Sequence, residues 1–395
     1  MADSLWAKPS MSSEHFGATR VIALALVSTS AWLSITLLPY EVSALSVGYH
    51  VGSAGAGWIA AAELLALACA ASYVGQSIGV RDKRRLTIFG LSIAIGATIG
   101  CLVTDHVVVL IGLRLLFGVG TGIIAAATNA LPALHSNPGR LFAYMQLALG
   151  VIFGLALFAV GAVESFAGRG AVFFVDLLFL LTLAPVAFLL PRGVVVAAHP
   201  SKTRMILQFP EGAVSALAAL SLMWIAQGAL WAFASTAGTE SGMDADSLVK
   251  WFSIAGFTTP FGALAATALG DRRGYGAPFI IGFGAQIFVA LAEYCFFSRP
   301  LFIAGVLISN MTTTFTTPYV QAVLASLDGT GRASAFSGAA ANFGAAIGPA
   351  LGALLIGRTV APIGITSSMM FFVGLGLALS SLRSVPLGST SRPAA

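Results

Sequence analysis

The chain has 395 residues, of which 57% are apolar and only 9% charged, and its mean hydropathy is +0.92. A water-soluble helical domain needs charged outer faces, and so little charge cannot supply them. The 20 Lys and Arg exceed the 15 Asp and Glu and raise the pI to about 9.3, but they are spread through tails and loops rather than gathered in one basic patch, which excludes a nucleic-acid footprint.

In chain order, residues 1 to about 18 form a polar tail without the apolar core and small-residue cleavage site of a signal peptide. Twelve apolar stretches follow, each long enough to cross about 30 Å of hydrocarbon as a helix. They read at roughly 20–45, 55–78, 86–104, 107–130, 141–162 and 170–190, then at roughly 211–235, 247–269, 277–297, 301–324, 334–358 and 365–384. Between Pro191 and Pro210 lies the longest polar stretch between spans, carrying Arg192, His199, Lys202 and Arg204. The expected fold is an all-α integral membrane protein of 12 transmembrane helices. Two six-helix halves, 1–190 and 211–395, are joined by a cytoplasmic linker at 191–210. All Lys and Arg fall in the tails and loops of one side, except Arg169, Lys250, Arg299 and Arg358 on the other side and Arg114 within a span. The positive-inside rule then puts both the N and C termini in the cytoplasm.

The three cysteines, Cys69, Cys101 and Cys295, lie in apolar spans without C-x-x-C spacing, so neither a metal site nor a disulfide framework is indicated. The two halves repeat an arrangement. The loop after the second span of each is short and basic, Arg81-Asp82-Lys83-Arg84-Arg85 and Asp271-Arg272-Arg273-Gly274. The fifth span of each carries glycines four apart, Gly150/Gly154 and Gly344/Gly348, a spacing that lets helix backbones approach closely. Internal six-span repeats are how many secondary transporters are built, with the solute site between the halves.

These features resemble the major facilitator superfamily over essentially the whole chain. The family's loop pattern G-x-x-x-D-R-x-G-R-R is met by Gly75 and the basic tail Lys83-Arg84-Arg85, with Gly79 where an Asp is expected and Asp82 where a Gly is. The second copy, Gly270-Asp271-Arg272-Arg273-Gly274, keeps D-R-x-G. The resemblance implies that Asp271, and Asp82 as a substitute in the first half, latch a gate by meeting a helix N-terminus of the partner half. Arg114 through Gly118 and Gly120 is similar to the family's R-x-x-x-G-x-G pattern, whose arginine is linked to proton coupling. Gly344, Gly348, Pro349 and Gly352 resemble the helix-packing pattern G-x-x-x-G-P-x-x-G, which drug/proton antiporters of the family carry in span 5. Here span 5 has no Gly-Pro, which leans the reading from efflux towards uptake.

Charges within spans need an explanation. Glu63 lies about eight residues into span 2 and Arg114 about seven into span 4, which puts both roughly 10–12 Å below the outer surface. They form either a titratable pair that carries a proton inwards or a fixed ion pair between helices. Glu41, Asp176 and Glu293 read as close to the outer interface, where a carboxylate reaches water; Glu41 is the third proton-coupling candidate, lining an outer vestibule. All five histidines fall in tails or loops, so a histidine relay in the membrane is not expected.

For the solute cavity the candidates are Trp32 in span 1, Trp224, Gln227 and Trp231 on one face of span 7, Asn310 and Thr314 in span 10, and Asn342 in span 11. An apolar wall with a few amides, hydroxyls and indoles suits a small organic ligand. The alternative for each hydroxyl is that it bonds its own backbone. The expected function is proton-coupled secondary transport of a small, largely apolar or aromatic solute, or of an organic anion anchored on Arg114, with drug or metabolite efflux by proton antiport as the alternative. A membrane enzyme would need a catalytic constellation at membrane depth, and none is visible. The expected setting is the bacterial cytoplasmic (inner) membrane. A monomer works there with a small-molecule substrate and the lipid bilayer, without nucleic acid, metal or cofactor. The proton gradient is the driving force, and sodium the alternative.

Overall fold

In hydrocarbon every backbone N–H and C=O must find a partner within the protein, and a helix does so within one segment. The computed structural model describes residues 16–78, 81–134, 138–191, 210, 212–270, 274–327 and 332–384. Among them the chain forms twelve long helices and no strand. The first six are α1 (Ala18–Gly48), α2 (Gly52–Gly75), α3 (Lys83–Val103), α4 (Val107–Ala130), α5 (Pro138–Ala167) and α6 (Ala171–Ala187). The others are α7 (Ala213–Glu240), α8 (Ala245–Leu269), α9 (Gly276–Tyr294), α10 (Arg299–Leu327), α11 (Arg332–Leu355) and α12 (Ala361–Ser381). Eleven are long and apolar enough to cross a membrane; α10 falls short because Asn310 and five threonines between 312 and 317 dilute its apolar residues.

α1 is a broken span. Ser28, Thr29 and Ser30 turn their hydroxyls back onto the carbonyls of Ala25, Leu26 and Val27, at 2.8, 2.6 and 2.6 Å. Such back-bonding bends a helix, and here the α-helix tightens into a 3₁₀ turn over Ser30–Trp32. It resumes over Leu33–Thr36 and Leu38–Ser43, then widens into a π turn over Ala44–Gly48. Three hydroxyls of α1 are thus spent on its own backbone.

Successive helices alternate in direction, so one end of the bundle carries Ala18, Gly75, Lys83 and Ser384, and the other carries the 48–52, 103–107 and 240–245 connections. We call these the terminal end and the loop end. The first six helices pack chiefly as α2–α4, α3–α4, α1–α5 and α3–α6; the last six as α7–α11, α7–α12, α8–α10, α9–α10 and α9–α12. Glycines set these approaches. A methyl group built on Gly118 would run into the Glu63 carbonyl oxygen on α2, and one on Gly348 would come within 2.6 Å of the Ala229 nitrogen on α7. Gly344 meets Ser221 and Trp224 of α7 in the same way. The Gly150/Gly154 pair packs on Pro260 and Phe257 of α8, across the two sets of six.

The sets are joined chiefly through α2–α11, α5–α8 and α1–α7. Their described contacts run from mid-bundle to the loop end. Gly57 packs on Phe233, Pro349 and Ala353; Tyr40 meets Phe252 edge-on at 5.9 Å; Phe153 stacks on Trp231 at 5.5 Å. One link follows directly from a proline. Pro39 has no N–H to offer the carbonyl of Ile35 one turn back, and the indole of Trp231 on α7 donates to that carbonyl at 2.7 Å.

At the loop end Arg169 is a clasp. Its guanidinium pairs with Asp105, reaches the Gly48 carbonyl at 3.4 Å and lies over the Tyr49 ring at 4.9 Å. Asp244 caps α8, accepting from the Ser247 backbone N–H at 2.8 Å, and these hydrogen bonds hold its carboxyl below the usual range.

Candidate functional site

Arg114 stands eight residues into α4, with 1% of its side chain exposed. Three carboxylates surround it, each on a different helix and each 1% exposed: Glu41 of α1, Glu63 of α2 and Asp176 of α6. Arg114 Nε donates to Glu63 Oε2 at 2.7 Å and to Glu41 Oε1 at 2.9 Å; Nη2 donates to Glu41 Oε2 at 2.8 Å and to Glu63 Oε1 at 2.9 Å. Both glutamates therefore use the same edge of the guanidinium. That edge is a fork made for one bidentate carboxylate, and its single Nε–H is divided between two. Nη1 reaches Asp176 Oδ2 at 3.4 Å, while Asp176 Oδ1 is buried without a partner. The rings of Phe117 and Phe173 flank the cation at 4.2 and 5.3 Å.

The charge count decides what this cluster does chemically. Three ionised carboxylates around one guanidinium carry a net charge of −2 in a dry interior. An uncompensated buried charge is costly enough that the group takes up a proton instead. The edge shared by Glu41 and Glu63 and the unpartnered Asp176 Oδ1 are the two places where the cluster is incompletely paired.

The candidate Glu63–Arg114 pair is thus brought together, and Glu41 joins it. The expected exposure of Glu41, Asp176 and Glu293 at an outer interface is corrected: all three are 1–2% exposed. Being near a span's end in sequence does not give water access when neighbouring helices cover that end. Glu293 is packed against Gly305 of α10, with Oε1 unpartnered. An organic anion also loses its expected anchor, because Arg114 is fully enclosed by carboxylates. Asp176 was under-read in the sequence, although it lies six residues into α6, a depth close to that of Arg114.

The solute-cavity candidates divide. Trp224, Asn310, Trp32 and Asn342 are half-buried, roughly 15–26 Å from the terminal end by helical rise, near mid-bundle. The Trp224 indole N–H and the Asn310 amide nitrogen are enclosed without a hydrogen-bond partner. Gln227 is buried and donates to Ser309 Oγ of α10 at 3.0 Å. The shared face of α7 therefore has two uses: Trp224 keeps a free donor, whereas Trp231 closes the loop end. The Thr314 hydroxyl lies 2.8 Å from the Thr259 carbonyl of α8 and 2.9 Å from that of Asn310, a bond to backbone.

The family model described as Major Facilitator Superfamily matches residues 21–330, more than three quarters of the chain. The chain belongs to the major facilitator superfamily. As a member it is a multi-pass membrane transporter and not an enzyme. No curated protein matches it in sequence comparison. Its fold is similar to that of the nucleoside transporter NupG (TM-score 0.71, 13% identity, covering 93% of this chain and 99% of that one). It is similar also to a D-xylose-proton symporter (TM-score 0.72, 12% identity, 94% and 98%) and to the human organic anion transporter MFSD10, TETRAN (TM-score 0.62, 14% identity, 91% and 99%).

Within this superfamily member the gating residues read differently from the motif. Asp82 does not reach the partner half: it caps its own helix, α3, accepting from the backbone N–H of Arg84 at 3.0 Å and of Arg85 at 3.3 Å, and pairs with the Arg85 side chain at 3.7 Å. The shift of the acid by three positions from the motif explains this, since it brings the carboxylate to the N-cap itself. Gly75 is exposed at the end of α2 and Gly274 takes φ +69 before α9. Asp271 and Arg272 lie outside the described residues. Gly118, Gly344, Gly348 and Pro349 all lie in helix–helix packing.

Proposed function

We propose that this superfamily member is a proton-coupled secondary transporter of a small, uncharged, largely apolar or aromatic solute. Uptake is the favoured direction, across the cytoplasmic membrane, with the termini in the cytoplasm. The observation that carries this reading is the Glu41–Glu63–Asp176 set around Arg114, which needs protons to be neutral. Every member of the cluster sits on a first-half helix, in the part of the bundle that is closed in this state. Opening the loop end exposes the carboxylates to one side, and closing it buries them again. Buried in this way, a proton bound on one side is released only when the halves rock. The half-buried Trp32, Trp224, Asn310 and Asn342 supply the solute wall, with two free donors. The reading that the solute is taken up with protons rests in part on fold similarity to a proton symporter.

The test is transport in proteoliposomes with an imposed pH gradient, against nucleosides, sugars, aromatic amides and organic anions. Accumulation of an uncharged solute that collapses when the proton gradient is dissipated, and persists without sodium, is the expected result. Glu63→Gln should abolish accumulation but keep exchange of labelled for unlabelled solute. Accumulation by Glu63→Gln with unchanged pH dependence would sink the coupling role. Proton-driven extrusion would shift the reading to antiport.

A further inference from the structure

Two arginines stand where the first-half helices leave the hydrocarbon at the terminal end. Arg20 is the third residue of α1 and Arg84 the second of α3, so each lies within about 5 Å of its helix end. With Thr19 and the stretch Phe188–Pro191 after α6 they line a concavity of about 540 Å³. The Arg84 guanidinium lies over the Phe188 ring, 5.8 Å from its centroid. Phe188 and Leu189 are 55% and 50% exposed, an apolar shelf beside the two cations. Neither arginine is within ion-pair distance of a described carboxylate. On the other face of α1, an apolar groove of about 620 Å³ opens between Val21, Ile22 and Ala25 and the α5 residues Leu147 and Val151.

We propose that Arg20 and Arg84 hold the headgroup of an anionic phospholipid in the terminal-end leaflet. The phosphate ester accepts from the two guanidiniums, which bind phosphate oxygens strongly, and an acyl chain lies along Phe188 and Leu189. Basic pockets between transmembrane helices take anionic headgroups in this way. The lipid is anionic rather than zwitterionic because neither guanidinium ion-pairs with a described carboxylate, and Asp82, beside Arg84 in the chain, is taken up in capping α3 and pairing with Arg85. Bound there, it ties the starts of α1 and α3 to the end of α6, and so braces the first half at the end where the halves are not in described contact.

Native mass spectrometry of the delipidated full chain, titrated with phosphatidylglycerol, phosphatidylcholine or inorganic phosphate, tests this. Phosphatidylglycerol should bind best, and Arg20→Gln with Arg84→Gln should weaken it roughly thirtyfold, about 1 kcal/mol per arginine. Arg358→Gln, at the loop end, should leave it unchanged. Thermal melting in detergent checks that the double variant is folded, and each single variant should show roughly a fivefold loss. Equal binding of phosphatidylcholine, phosphate binding as tightly as the lipid, or an unchanged double variant would each overturn the proposal.

Discussion

Arg114 and its carboxylates do not respond alike to substitution, because their charges do not balance. Taking away the one cation leaves three acids facing each other in a dry interior. Taking away one acid leaves the cation still paired. Breaking a buried pair from the side that strands charge costs about 3–5 kcal/mol, so Arg114→Ala should fold poorly or melt far below the parent protein. Arg114→Lys should recover only part of this, since an ammonium cannot serve two carboxylates along one planar edge. Glu63→Gln and Asp176→Asn keep a hydrogen-bonding oxygen and relieve repulsion, so each should cost no more than about 1 kcal/mol. Melting curves of the four purified variants in one detergent give the order. If Glu63→Gln proved as damaging as Arg114→Ala, the excess negative charge inferred for the cluster would be wrong.

Among the helices, approach distance is set by glycine rather than by apolar area, because lipid is as apolar as a leucine side chain and gives helices no hydrophobic reason to associate. A methyl at Gly118 meets the Glu63 carbonyl, which cannot move without moving α2 and the side chain that carries the Glu63 carboxylate. A methyl at Gly112, on the same helix, meets nothing within 4 Å. Gly118→Ala should therefore lower stability by about 1–3 kcal/mol and impair proton coupling, while Gly112→Ala should be silent in both. Melting and proton-driven uptake, measured side by side, separate the two. The same elements show what could be read from the chain alone. Apolar run length located all twelve helices, and α4 matched its expected bounds of 107 and 130. α5 and α10 ran several residues longer than expected, since a helix need not stop where the hydrocarbon does. Counting residues from span ends paired Glu63 with Arg114. The same count misplaced Glu41 and Asp176 in water, because depth along one helix says nothing of what its neighbours cover. The contact of Trp231 with Ile35 had a signal in Pro39, which frees that carbonyl, but which helix answers it is a matter of tertiary packing.

For the whole molecule, the contacts between the two sets of helices concentrate from mid-bundle to the loop end. Under the rocking of the halves proposed above, the same region must also open. Alternating access then requires Gly57 to separate from Ala353, Gly154 from Phe257 and the Trp231 indole from the Ile35 carbonyl in the same motion. A covalent tie across that closure should stop transport without disturbing either half. Gly57 and Ala353 suit one, since a methyl built on Gly57 lies 2.9 Å from the Ala353 methyl. Cysteines at both positions, in a chain with Cys69, Cys101 and Cys295 replaced by serine or alanine, should cross-link readily under mild oxidation. Uptake should fall to background when the bond forms and return when it is reduced. Ala353→Cys alone should transport normally, and the reduced pair should transport as well as Gly57→Cys alone, whose Cβ must displace Phe233 at 2.7 Å. Solute should still bind the oxidised pair from the terminal end, because the tie leaves Trp224 and Asn310 on their side of the closure. Transport by a fully cross-linked protein would mean that the loop end is not a gate, and that the buried carboxylates exchange protons by some route other than separation of the halves.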